Sequence, residues 1–198
     1  MASIGMRHVV AASISAEGTN AMPTYGTGFI VGRAQRGSIQ WERNDNDLYG
    51  DDVVAEGDNS ITGGRLDVGT TELTEENEEK LLGYLHDQTG DYYEVSDDAA
   101  PYVGIGYVQV LKRFGVTIYK AIWYMKAQFG LPSEETKTKE KSIEWGTPTV
   151  SGKLFGVYND ASGKAKFRRH KRFTTYAAAL TWLDALANYT APSSSATT

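Results

Sequence analysis

The run Lys164-Ala-Lys166-Phe-Arg168-Arg169-His170-Lys171-Arg172-Phe173 concentrates more potential chemistry than any other stretch of the chain. Cations interleaved with Phe167 and Phe173 could neutralise phosphates and stack bases. The same pattern suits an amphipathic edge strand, where Lys and Arg discourage unwanted strand pairing. A pI near 5.3 argues against a dedicated nucleic-acid binder, which carries a basic domain. A third reading sets the run against acidic residues of an identical neighbour, and that reading is preferred here.

The remaining reactive groups form no catalytic constellation. Asp45, Asp47, Gly50 and Glu56 fall at positions one, three, six and twelve of an EF-hand loop. Position five is Tyr49, which offers neither carboxylate nor amide, and the preceding SIQWER alternates as a strand rather than an entering helix. Asp51-Asp52 and Asp97-Asp98 are adjacent pairs, and neighbours on a strand point to opposite faces, so neither pair suits a shared substrate. His8, His86 and His170 stand in unrelated segments without zinc-site spacing. Cysteine is absent, which removes thiol nucleophiles, thiolate metal sites and disulfides. Gly26-Thr-Gly28-Phe-Ile-Val-Gly32 misses dinucleotide spacing by one residue and lacks a strand-then-helix frame. Gly104 and Gly106 alternate within a strand, where they allow a neighbouring backbone or ring to come close. The expectation is a protein that is not an enzyme, with no cofactor and no resident metal.

Charge is the stronger signal. The net charge of −5 hides a division: residues 42–98 carry 18 acids against Arg43, Arg65 and Lys80, whereas residues 99–198 carry 14 Lys and Arg against six acids. Two solvated faces of a monomer would satisfy this pattern. So would a subunit whose acidic part docks on the basic part of its neighbour, a heterologous contact that builds rings or stacks.

The elements that must position these groups read as mainly β. A chain of 198 residues with 40% hydrophobic content suits one sizeable core. Residues 1–24 are small, polar and weakly patterned, and read as an N-terminal arm rather than a core element. Strands are predicted at Gly28–Gly32, Ser38–Arg43, Ile61–Val68, Tyr102–Leu111, Val116–Phe129, Lys141–Thr147 and Val150–Tyr158. An acidic loop or extended hairpin spans residues 44–58, and turns fall at Gly115 and at Asn159–Gly163. Thr74 reads as the N-cap of a short helix, with Glu75, Glu76 and Glu78 in its first turn and Gly83 at its end. Thr174 reads as the cap of a last helix with a stripe of Tyr176, Leu180, Leu183 and Ala187. Residues 189–198, ending in APSSSATT, read as a mobile tail. Strict alternation along Val116–Phe129 gives one face Thr117, Tyr119, Ala121, Trp123, Met125, Ala127 and Phe129, and the other Val116, Ile118, Lys120, Ile122, Tyr124, Lys126 and Gln128. Apolar residues on both faces imply that each face is covered, the second by another subunit. No apolar run approaches the ~18 residues of a membrane span. The segment MASIGMRHVVAASIS lacks a basic n-region leading into an apolar core, so synthesis and folding in a cytoplasm are expected.

Three segments together resemble a known family. They are PYVGIGYVQVLKRFGVTIYKAIWYMKAQFGLPSEETKTKEKSIEWGTPTVSG, LYGDDVVAEGDNSITGGRLDVGTTELTEENEEKLLG and FTTYAAALTWL. In order and spacing they resemble the major tail protein of bacteriophages with long, non-contractile tails, over roughly Gly5 to Asn188. The resemblance implies a β-sandwich or barrel-like tail-tube domain over residues 25–188, with a flanking helix and a short second helix, whose subunit sheets join into a tube lining. It implies a structural virion protein that self-assembles into stacked homohexameric rings, the conduit for genome ejection. Its implied partners are other copies of itself, the tape-measure, terminator and distal tail proteins, and double-stranded DNA in passage, with no membrane insertion. A conduit for DNA is expected to have a polar or net negative bore, since each cation on the lining adds a phosphate contact. The alternatives are another ring-forming tail component, such as a terminator or baseplate protein, and a monomeric β-domain that binds cations or nucleic acid.

Leu48, Tyr49, Asp51, Asp52, Val53 and Val54 on the acidic loop are the expected contacts between subunits or rings, because apolar residues on a solvated loop call for a partner surface. Arg168, Arg169, Lys171 and Arg172 are their expected basic counterparts. Trp123, Trp145 and Trp182 are expected to anchor the core.

Overall fold

The computed structural model describes residues 2–18, 21–50, 53–86, 91–93, 100–131, 147–157 and 163–191. The expected strand at Lys141–Thr147, Trp145 within it, and Asp51 and Asp52 fall wholly or largely outside them.

The protein is mainly β with two helices, and its framework is one long antiparallel hairpin. β10 (Tyr102–Arg113) pairs with β11 (Val116–Phe129) along nearly their whole length, the other strands being numbered by their place in the chain. The pairing of Arg113 with Val116 leaves Phe114 and Gly115 as a two-residue turn, both left-handed with φ of 47° and 83°. Such turns match the twist of the strands they join.

The free edge of β10 receives β1 (Ala2–Ala16), which itself carries β2 (Thr24–Tyr25) and β3 (Phe29–Gly32). The expected N-terminal arm is therefore corrected. Val9, Val10, Ala11 and Ala12 are wholly buried in the middle of the sheet. Their run of small apolar residues lacks alternation because both faces of β1 are covered there, which a search for period two passes over.

On its other edge β11 forks. Its first half pairs with β13 (Arg168–Phe173) and its last three residues with β12 (Thr149–Leu154). β12 continues into β7 (Ile61–Thr70) and then β4 (Ala34–Arg43), which form a second layer. One core lies between the layers. It holds Val9, Val31, Leu66, Val68, Ile105, Ile122, Tyr124 and Phe129, with Leu81 and Leu82 of α1 (Glu75–Leu82) added. A second core lies on the outer face of β1, β10 and β11 beneath α2 (Tyr176–Ala187), around Val10, Val108, Trp123, Met125, Ala179 and Leu183.

The face assignment along β11 changes at a bulge. Ile105 pairs with Tyr124 but Val103 with Ala127, so β11 has one residue more than its partner. Ala127 and Phe129 consequently join Ile122 and Tyr124 in the inter-sheet core, while Ala121, Trp123 and Met125 face α2. The expectation that another subunit covers the second face is also corrected: between Ala121 and Phe129 this chain covers both faces itself.

The helix termini follow local chemistry. Thr74 is extended at the start of α1, and Gly83 is left-handed at its end. Asn77 donates from Nδ2 to the Ile30 and Val31 carbonyls, fixing α1 on β3. α2 begins one residue later than expected, because Thr175 supplies the cap and accepts from the Ala178 N–H at 3.4 Å. His8, left-handed at a bulge of β1, holds α2 through Asp184 at 2.7 Å. Gly104 lies under the Trp123 and Tyr25 rings, where a Cβ would overlap both, so close ring approach is its purpose. The Tyr25 hydroxyl donates to the Met125 carbonyl at 2.8 Å, and burial pushes its pKa up to about 12.

Candidate functional site

Among the described residues β13 pairs with β11 alone, so none of them covers its outer backbone edge. Its pairing sorts the cations. Arg169 and Lys171 lie opposite Trp123 and Ala121, followed by Phe173, which packs under α2 at 6.1 Å from the Trp182 ring. Arg168, His170 and Arg172 lie opposite Tyr124, Ile122 and Lys120 on the other face. The Arg168 guanidinium sits 5.1 Å from the centre of the Trp41 ring, which itself meets Phe167 edge-on. This stacking desolvates part of the guanidinium and fixes its direction.

Among the described residues the salt bridges join His8 to Asp184, Arg65 to Asp67, Lys80 to Glu76 and Lys126 to Glu17, and none reaches β13 or Lys120. Burial first, then Arg168 and Arg172, pull the Lys120 ammonium below its ordinary pKa. Burial, then Lys120, Arg168 and Arg172, do the same to His170. Both shifts have the sign of a cluster that repels further positive charge. A carboxylate brought to it from outside would be attracted and would relieve that repulsion.

The acidic residues take the form of a ribbon. Past Arg43 and Ile61 the β4–β7 pair is prolonged by a backbone hydrogen bond from Asn44 N to Ser60 O at 2.8 Å. It then becomes a separate hairpin of β5 (Asn46–Gly50) and β6 (Val53–Asp58). Among the described residues these two strands pair only with each other. Leu48 and Tyr49 are on β5, Val53 and Val54 on β6, and the tip residues Asp51 and Asp52 lie outside the described set. The paired strands β5 and β6 over this stretch are not the helix-flanked loop of an EF-hand. Among the described residues no group of three or more His, Asp or Glu is placed to hold a metal ion. No helix there is long and apolar enough to cross a membrane.

The structure thus keeps Arg168, Arg169, Lys171 and Arg172 on one strand and Asp47, Glu56 and Asp58 on one ribbon, while other acids of the middle section lie on α1 and β7. It adds Lys120 and Trp41, which sequence reading placed on strands without a role. Their signal is long-range, since Lys120 pairs across the strands with Arg172, far along the sequence, and feels the charge of Arg168 as well. Of the three tryptophans, Trp123 is wholly buried, Trp182 is partly exposed at the edge of the second core, and Trp145 is outside the described residues. Comparison with protein-family models finds no matching family, and comparison with curated proteins finds no significant match.

Proposed function

We propose that this chain is a structural subunit of the phage tail-tube kind, which self-assembles into stacked rings that conduct DNA. One observation carries the reading: among the described residues the basic strand β13 has neither an acidic partner nor a strand on its outer edge, and the β5–β6 ribbon has no strand partner beyond its own two strands. An unpaired strand edge is a template for another chain, and opposite charges on one subunit orient copies head to tail. The hexameric count, the DNA cargo and the tape-measure, terminator and distal tail partners rest on the family resemblance of the three segments above.

The acidic ribbon offers a clean test, because the Asn44–Ser60 hydrogen bond closes its base. Replacing residues 45–59 with an Asn-Gly turn is expected to leave a folded subunit whose melting temperature moves by only a few degrees, since the β4–β7 pairing is untouched. The same variant is expected to remain single under conditions where the parent polymerises, as read by sedimentation velocity. Normal tubes from the shortened chain would assign the ribbon another purpose.

A further inference from the structure

The tip of the long hairpin carries a side chain that the fold of one subunit does not explain. Phe114 is 92% exposed and left-handed at φ 47°, in a turn position where Asn or Gly relieves the backbone strain that a bulky residue incurs. Val116 next to the turn and Ile4 on the neighbouring strand β1 are 61% and 58% exposed. Strain kept in order to hold an aromatic ring in water points to a partner for the ring. The flanking Lys112 and Arg113 are exposed and have no acidic partner among the described residues.

At the other end of the same two strands is a cavity of about 660 Å³. Leu82, Tyr84, Phe129 and Leu131 supply its apolar walls, and Leu131 is 63% exposed at its mouth. Glu42, Arg65 and Lys153 are its charges. Arg65 is turned to Asp67 at 3.4 Å and Lys153 lies 5.8 Å from the Phe155 ring, whereas Glu42 makes no ion pair with a described residue. Knob and socket are separated by the length of β11, roughly 45 Å at about 3.4 Å per residue. A copy displaced along the strand axis brings one to the other.

We infer that Phe114 of one copy inserts into the Leu82–Tyr84–Phe129–Leu131 cavity of the next copy, with Arg113 meeting Glu42. The contact is heterologous and repeats by translation, so it propagates a stack rather than closing a pair. It rests on the self-assembly proposed above and identifies the contact between successive layers.

Phe114→Asn separates the knob's two properties. Asn-Gly suits the turn, so the isolated subunit is expected to keep or raise its melting temperature. Loss of an aromatic anchor is expected to raise the concentration needed for stacking by about 30-fold. The absence of cysteine permits a direct readout. Val116→Cys and Leu131→Cys subunits, both keeping Phe114, are mixed, oxidised with copper–phenanthroline and digested for mass spectrometry. The expected product is a disulfide joining position 116 of one chain to position 131 of another. Stacked assemblies that form without this link, or that grow unchanged from the Phe114→Asn subunit, would overturn the contact and leave the self-assembly reading standing. Single particles from the parent chain at every concentration would overturn both.

Discussion

Trp123→Ala is expected to cost about 3–5 kcal/mol of folding free energy, the range for truncating a fully buried large aromatic. The Trp123 ring is wholly inaccessible and meets the Tyr25 ring edge-on at 5.2 Å. It lies against Gly104 and Gly106, with Leu183 of α2 closing over Gly106. Two glycines beneath the ring have no side chains that could relax into the space, so the cavity would persist. Its indole N–H is buried with no hydrogen bond of good geometry, the Tyr25 hydroxyl being a weak acceptor for it, so Trp123→Phe is expected to cost less than Trp123→Ala. At roughly 2–4 °C per kcal/mol for a chain of this size, the alanine variant should melt on the order of 10 °C lower. Trp182 supplies the contrast. It is half-buried against Phe173, and its truncation should cost less than that of Trp123. Denaturant unfolding of both variants checks the order. A Trp123→Ala loss below about 1 kcal/mol would remove this residue as the anchor of the α2 layer.

Reversing Arg168, Arg169, Lys171 and Arg172 to Glu together should abolish polymerisation at about 0.15 M salt while the subunit still folds. All but Arg168 are exposed along an open edge, so their substitution leaves the cores alone. Arg168 stacks on Trp41, and a triple variant that keeps it guards against loss through misfolding. The sign of the effect on the fold is also fixed. Carboxylates beside Lys120 and His170 replace repulsion with attraction, so both groups should titrate higher in the variant than in the parent. In the parent, His170 binds its proton more weakly when folded than when unfolded. Stability from this source is therefore fully present above the unfolded pKa and is lost as pH falls through the folded one. Parent assembly should weaken as salt rises past about 0.15 M. Light scattering that is indifferent to salt and to both variants would mean that hydrophobic and backbone contacts dominate, and that the charge division is incidental.

Much of this architecture was legible locally. The α1 limits followed from Thr74, three early glutamates and Gly83, all within one short window. The β10–β11 hairpin followed from two alternating runs broken at Gly115. β1 was not legible, because its buried stretch has apolar residues on both faces and resembles neither template. The bulge after Tyr124 was invisible for a related reason: one extra residue shifts the period without changing composition. The basic strand could be found as a run of cations, but not its placement against Lys120 and Trp41, which depends on strands distant in sequence. Phe114 carried a readable hint, an aromatic residue before glycine at a hairpin tip. What makes it notable is its exposure and left-handed backbone, which only the fold reveals.

Negative-stain microscopy of the purified full chain over a rising concentration series tests the central claim most directly. The account predicts rings with sixfold end views and, at higher concentration, tubes built by stacking them. Isolated particles of subunit size at every concentration, at low salt as well as high, would contradict it.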